Sequence, residues 1–355
     1  MNQLSLPSSA VNQSETTDNT LTPDTQLFPA IDNIVCERQR LRLQFALFQL
    51  LLNGKLTATR LPVASKETKG SLDGSNLVRS QPKSPYHVLD VGCATAQWCT
   101  ALAQERPEFN ITGLDIDHIF LPARVPINMS LEIADVLKPW GRSEESVDFI
   151  HIRNMSAVIR NKDGWIHCLG EAWKSLKPGG QIEISEIRPR WWDWERHVEG
   201  SEESLEFSQD TNPKDENDNW VNKETHADRH GLALAWFEKM LSMLGAKQGF
   251  DLDPILKLTK VLYSVGFTKV VERTEVVPIG SWPKDRSLRR KGELYLEMLD
   301  EGAFANYTVE AFLQAGWKEE DIRCLVEDTR ENLHNPELHG YTNAVFVMAK
   351  KPLST

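Results

Sequence analysis

Asp90 stands at the end of a short apolar run, Val88-Leu89-Asp90-Val91, and is followed by the small residues Gly92-Cys93-Ala94-Thr95-Ala96. From Gln97 onward Trp98, Leu102 and Ala103 recur at helical spacing. A buried strand, a tight turn and a new helix in that order bring backbone amides to a helix start, where a nucleotide-like cofactor binds. A second acid, Asp115, ends the run Asn110-Ile-Thr-Gly-Leu-Asp115. An acid about 20 residues beyond such a turn suits bidentate hydrogen bonding to the two hydroxyls of a ribose. A dinucleotide fits less well. Gly-x-Gly-x-x-Gly would require glycine at 94 and 97, where the chain has Ala94 and Gln97.

The segments that follow favour S-adenosylmethionine instead. Glu132-Ile-Ala-Asp-Val136 sets Asp135 where it can accept from an adenine amino group. Ser146 to Asn154 reads as a fourth strand carrying His151 and Arg153. Glu171 to Ile184 reads as a helix, a Pro-Gly-Gly turn and a fifth strand. This ordered series resembles the class I S-adenosylmethionine-dependent methyltransferases, and more closely the fungal LaeA-like family of secondary-metabolism methyltransferases. Four stretches carry the resemblance: Glu37 to Leu41 with Gly54-Lys-Leu56, Val88 to Trp98, Asp148 to Ile184, and the C-terminal third. That third holds Pro278-Ile-Gly-Ser-Trp-Pro-Lys284, Gly316-Trp317 and His339-Gly-Tyr341.

The resemblance implies an α/β fold: a doubly wound, Rossmann-like, seven-stranded sheet with its last strand antiparallel, an N-terminal helix and α-helical lid insertions. It implies S-adenosylmethionine as cofactor, bound by Asp90, Gly92, Cys93, Ala94, Asp115, Ile116, Asp135, Val136 and Arg153. It also implies methyl transfer to an oxygen or nitrogen of an apolar small-molecule secondary metabolite in a fungal pathway. Two alternatives stand beside that: the same fold repurposed as a cyclase, or a LaeA-like regulator. The chain departs from the family at the turn, where Gly-x-Gly-x-Gly is usual and Gly92-x-Ala94-x-Ala96 stands here. Alanine at 94 puts a methyl group where the cofactor passes closest and disfavours a positive φ. Phe45 follows Gln44 where relatives commonly place histidine, so no role for that histidine carries over.

An acceptor oxygen or nitrogen that needs a base would find one in histidine, whose pKa lies near neutrality. His151, at the end of its strand, and His230, on an expected helix, are the candidates. Arg153 suits a carboxylate, either the cofactor's or a neighbour's. Trp191, Trp192 and Trp194 crowd the expected carboxyl end of the fifth strand, where ligands of doubly wound folds sit. With Trp236 they form a candidate apolar substrate wall.

The remaining pattern places these residues. With 355 residues and 40% hydrophobic content the chain can bury a large core. A net charge of −11 gives no electrostatic case for nucleic acid or an anionic membrane. Five cysteines show neither metal spacing nor a paired framework, which fits a reducing compartment, cytoplasmic or, for a regulator, nuclear. No metal site is expected. Residues 1–25 have the composition of a disordered tail, and 26–63 form a helical segment. Within it Leu41, Phe45, Phe48 and Leu52 make a face to be buried against the protein or across a dimer interface. A polar loop spans 64–85. The catalytic domain runs from 86 to 352, its lid near 188–250 and 278–340, with an acidic run at 199–218 expected to be solvated. Asp253 and Pro254 should start a helix ending at Gly266, and single helices are expected over 283–300 and 308–333.

Overall fold

In the computed structural model the described residues are 34–62, 85–193 except 160, 229–301 except 248, 250 and 252, and 309–353 except 315. The expected tail at 1–25, most of the loop at 64–85, and the acidic run with Trp194 lie outside them.

Short runs of branched and aromatic residues build the strands: β1 (Tyr86–Val91), β2 (Phe109–Asp115), β3 (Met129–Ile133), β4 (Val147–Arg153), β5 (Leu176–Ile187), β6 (Trp192–Asp193), β7 (Thr268–Pro278) and β8 (Gly340–Lys350). They join one sheet in the order β3-β2-β1-β4-β5-β8, with β7 and the two-residue β6 both paired to β8. The first five are mutually parallel, and β8 runs antiparallel to β5, β6 and β7. The seven-stranded, doubly wound sheet with an antiparallel last strand is therefore found, and β6 adds a short eighth strand. Strand order reverses between β1 and β4, the place where such sheets open a crevice for a ligand.

Alternation divides the side chains between two faces. Leu89, Val91, Ile150, Ile152, Ile182 and Ile184 point to one, where helices α3 (Lys162–Ser175) and α5 (Ile255–Val265) cover them with Trp165, Leu169, Leu258 and Leu262. On the other, Val88, Ile111 and Phe149 meet Trp98 and Leu102 of α2 (Gln97–Glu105). Farther along, Ala344 and Phe346 of β8 support a larger core. It is made with α1 (Ile34–Leu51), α4 (Arg229–Lys247), α6 (Arg286–Met298), α7 (Val309–Gln314) and α8 (Glu319–His334). Leu47 and Leu51 are fully buried there, so α1 spends its apolar face within the chain itself.

Two local expectations change. Asp253 does not cap α5: the cap position is Pro254 with no side-chain cap bond, and the Asp253 carboxylate instead takes the guanidinium groups of Arg188 and Arg190. A charge-assisted, forked contact outcompetes an ordinary cap. The helix expected over 308–333 is two helices, because Gly316 adopts a φ of 89° between them. The family stretches of the C-terminal third converge. Trp282 stacks on His339 with ring centroids 4.9 Å apart and donates to Gly340 O at 2.9 Å, while Ile279 N donates to the same oxygen.

Candidate cofactor and acceptor site

The turn after β1 is held by its neighbours' backbones. Gly92 N and Cys93 N both donate to Leu114 O at the end of β2, which fixes the turn against the next strand. Gly92 has φ 74°, and a Cβ there would overlap Met155 Sδ, so glycine is required twice over. Ala94 and Ala96 have φ of 47° and 52°. The turn therefore does demand the left-handed region from both alanines, at a cost of about 1–2 kcal/mol each relative to ordinary backbone. Ala96 recovers part of this by burying its methyl group completely among Val88, Trp98 and Leu102.

Three acids meet this turn differently. Asp115 is half-buried at the end of β2; its carboxylate accepts from Ala94 N at 2.7 Å and from Ile116 N at 2.9 Å. Burial raises its pKa, and the amides of Ala94, Asp117 and Ile116 oppose the rise. Asp90 is 3% exposed, opposite His151 in the register of β1 and β4, and accepts from Cys99 Sγ at 3.0 Å. His151 Nδ1 lies 2.7 Å from Asp90 Oδ1, and the imidazole stacks on Trp98 at 4.0 Å with planes 4° apart. At 2% exposure His151 sits behind Asp90, beneath α2, and not at the open mouth of the crevice. Asp135, half-buried, accepts from Leu137 N at 2.9 Å, and the adjoining Val136 is buried in the core.

A small pocket opens at this turn. Asp90, Gly92, Cys93, Ala94, Gln97 and Arg153 line it, and Leu41, Gln44 and Phe45 of α1 close it from outside. α1 is anchored over it by Arg38, which donates to Ile119 O and Phe120 O in the loop after β2 at 2.6 and 3.2 Å. Two groups in the pocket lack partners. The Arg153 guanidinium makes no hydrogen bond or ion pair among the described residues; it lies 4.9 Å from the centroid of the Phe48 ring and 5.9 Å from that of Phe45. Burial lowers its pKa, while Asp90, Cys99 and Glu183 hold it up. Gln97 Oε1 is buried without a hydrogen bond. A bare cation and a bare acceptor lining one cleft suit a ligand that brings both a carboxylate and a donor, as an amino-acid tail does.

Beyond the end of β5 the surroundings become aromatic. Trp191 is half-buried, packs 5.7 Å from Phe237 and donates to Tyr295 Oη at 3.4 Å; burial pushes that phenol up to about 12. Trp192 stacks on Tyr341 at 5.7 Å, with Arg188 5.1 Å over its ring. His230 and Trp236 lie on α4, and their side chains lie outside the described residues. The residues that the motifs did not single out are Leu41, Gln97, Met155 and Glu186. Leu41 and Gln97 lie on the helices α1 and α2, and their sequence patterns place the helices but not the pocket; Met155 and Glu186 owe their places to packing across the sheet.

A sequence family described as a methyltransferase domain matches residues 67–270. The chain belongs to that family. The methyltransferase is 27% identical over 268 residues to "Methyltransferase pytC" of Aspergillus terreus, covering 75% of this chain and 71% of that protein. It is 25% identical over 281 residues to "Secondary metabolism regulator LAE1" of Cochliobolus heterostrophus, covering 78% and 80%. Among solved structures it is similar to a Haemonchus contortus phosphoethanolamine N-methyltransferase 2, with 13% identity and a TM-score of 0.39, over 77% of this chain and 51% of that one. The methyl donor of the family is S-adenosylmethionine. Arg153, which makes no hydrogen bond among the described residues, and the unpartnered Gln97 Oε1 fit such a cofactor. Among the described residues no helix is long and apolar enough to cross a membrane, and no group of three or more His, Cys, Asp and Glu residues could hold a metal.

Proposed function

We propose that this methyltransferase transfers a methyl group to an oxygen or nitrogen of an apolar small-molecule secondary metabolite. The observation that carries the reading is the adjoining unpartnered Arg153 and Gln97 in the pocket over Gly92. Bound S-adenosylmethionine supplies an electrophilic methyl group on a sulfonium. Arg153 would hold the cofactor's carboxylate, Gln97 Oε1 and Asp90 would face its ammonium, Asp115 would take the ribose, and Asp135 with Ile116 would frame the adenine, while Val136 stays in the core. Cys93 and Ala94 supply the close-approaching backbone. α1 then shields the pocket from water through Leu41 and Phe45, so that alignment and dehydration provide much of the acceleration.

The Trp191 and Trp192 rings, with Phe237 and Tyr295 behind them, form the wall for the acceptor. His151 serves as the partner that fixes Asp90, and His230 on α4 is the candidate base. The test is calorimetric titration with S-adenosylmethionine, followed by methyl transfer from radiolabelled cofactor into a fungal metabolite extract. Cofactor binding with label in an organic-soluble product supports the reading. Binding with label only in protein favours the regulatory alternative, which the LAE1 relative supports. Product turnover without label transfer favours a cyclase.

A further inference from the structure

The turn that leads from β4 into α3 sets two groups of the cofactor pocket at once. Arg153 enters the pocket just before it, and Met155 packs under Gly92 so closely that no side chain fits there. Asn154 adopts φ 51°, with its amide donating to Ser185 O at 2.9 Å and its side-chain oxygen accepting from Ile187 N at 3.1 Å. Between those two bonds stands Glu186, 4% exposed, whose Oε1 accepts from Met155 N at 2.8 Å. Ser156, the next residue, faces the same carboxylate and favours its charged form. Glu186 thus faces two consecutive residues of the turn, is bonded to the amide of the first, and does not line the pocket itself.

We propose that Glu186 is a positioning residue for the cofactor, its carboxyl group holding the 154–156 turn so that Met155 supports Gly92 and Arg153 stays aimed into the pocket. Protonated, its Oε1 still accepts from Met155 N without a buried charge; ionised, it is a charge held away from water that draws solvent into the turn. Its pKa is raised to about 7, chiefly by burial with Asp253 adding to it, against the opposing contacts of Met155 and Ser156. Asp253, ahead of α5, has its own charge engaged by Arg188 and Arg190, and Val345, opposite on β8, is apolar. The sign follows from the raised value. The turn as folded holds the proton more tightly than a loosened, solvated one, so ionisation through neutrality loosens the turn and cofactor affinity falls as pH rises.

The first readout needs no cofactor. With 13C-methyl methionine, the Met155 methyl resonance, assigned by Met155→Leu, should titrate with a midpoint near 7 in the wild type and stay flat in Glu186→Gln. Ser156→Ala, which removes one opposing donor and keeps the carboxylate, should move that midpoint upward by roughly half a pH unit. It decides the matter if Glu186→Gln does not fold. The second readout rests on the methyltransferase reading. S-adenosylmethionine affinity should weaken about fivefold from pH 6 to pH 8 in the wild type and change by less than about twofold in Glu186→Gln. A flat Met155 resonance in the wild type, or the same titration in Glu186→Gln, overturns the proposal. Absence of cofactor binding at every pH, with the resonance titrating as stated, overturns the cofactor reading and leaves the role of Glu186 in the turn standing.

Discussion

Near the turn after β1 several carboxylates are held by backbone, although Asp90 itself is held by the side chains of His151 and Cys99. Asp115 accepts from the amides of residues 94 and 116, Glu183 from those of 58 and 59, and Glu186 from that of 155. Past the end of β5 the arrangement is the reverse. There Arg188 and Arg190 clasp Asp253, Trp191 reaches Tyr295, and Trp192 lies on Tyr341, all of them side chains meeting side chains far apart in the chain. Backbone-held acids keep their geometry as long as the strands do. Paired side chains can be exchanged one pair at a time without disturbing the turn after β1.

The sharpest way to break this comparison is Asp115→Ala. It removes the ribose partner and leaves loop amides unpaired, so cofactor affinity should fall by roughly 2–4 kcal/mol, or about 30- to 1,000-fold. Calorimetry on folded protein that finds unchanged affinity would remove Asp115 from the cofactor site. Next in size is Asp253→Ala, which strands the Arg188 guanidinium, only 13% exposed, while Arg190 keeps Glu238. Urea unfolding should report a loss of about 1.5–3 kcal/mol. Cofactor affinity should stay within about twofold, because this network belongs to the other end. A large drop in affinity would show the two ends coupled.

Gln97→Leu separates stability from binding. The apo protein gives up a buried acceptor that has no partner, so its melting temperature should hold or rise. The cofactor loses one hydrogen bond and should bind about 1 kcal/mol more weakly. A variant that melts lower and binds equally well would assign Gln97 to packing alone. The smallest effects concern the alanines. Ala94→Gly relieves the positive φ and should stabilise the fold by about 0.5–1 kcal/mol, after the unfolded-state entropy of glycine is subtracted. Cofactor affinity should tighten to a similar extent. Ala96→Gly relieves the same strain but gives up a fully buried methyl group, so thermal melts should find it neutral or destabilising. Identical gains at both positions would mean that neither methyl group matters.

The sheet and the turn were legible in the chain because their signals are local. Val88 to Trp98 carries its own strand, turn and helix start, and Asp115 follows at the spacing of one strand-helix-strand unit. The departure from glycine at position 94 was legible in the chain, but that the turn needs a positive φ there, 47°, is decided by the structure. His151 was readable only as a histidine near a strand end. Strand alternation puts it on the Asp90 face, but the stacking on Trp98 that buries it depends on how α2 lies across β4. Asp253 was misread as a cap because a local rule knows nothing of Arg188, 65 residues away.

The sequence by itself determined the elements, the order of the acids along the strand ends and the glycine and alanine turn, because hydrophobic period and backbone geometry act within a few residues. Only the tertiary structure decided which charges remain unpaired. Arg153 and Gln97 are bare, and Glu186 is driven toward neutrality, because strands remote in sequence exclude water from them and α1 closes over the pocket. Burial and partnership are properties of an assembled interior, and no run of residues contains them.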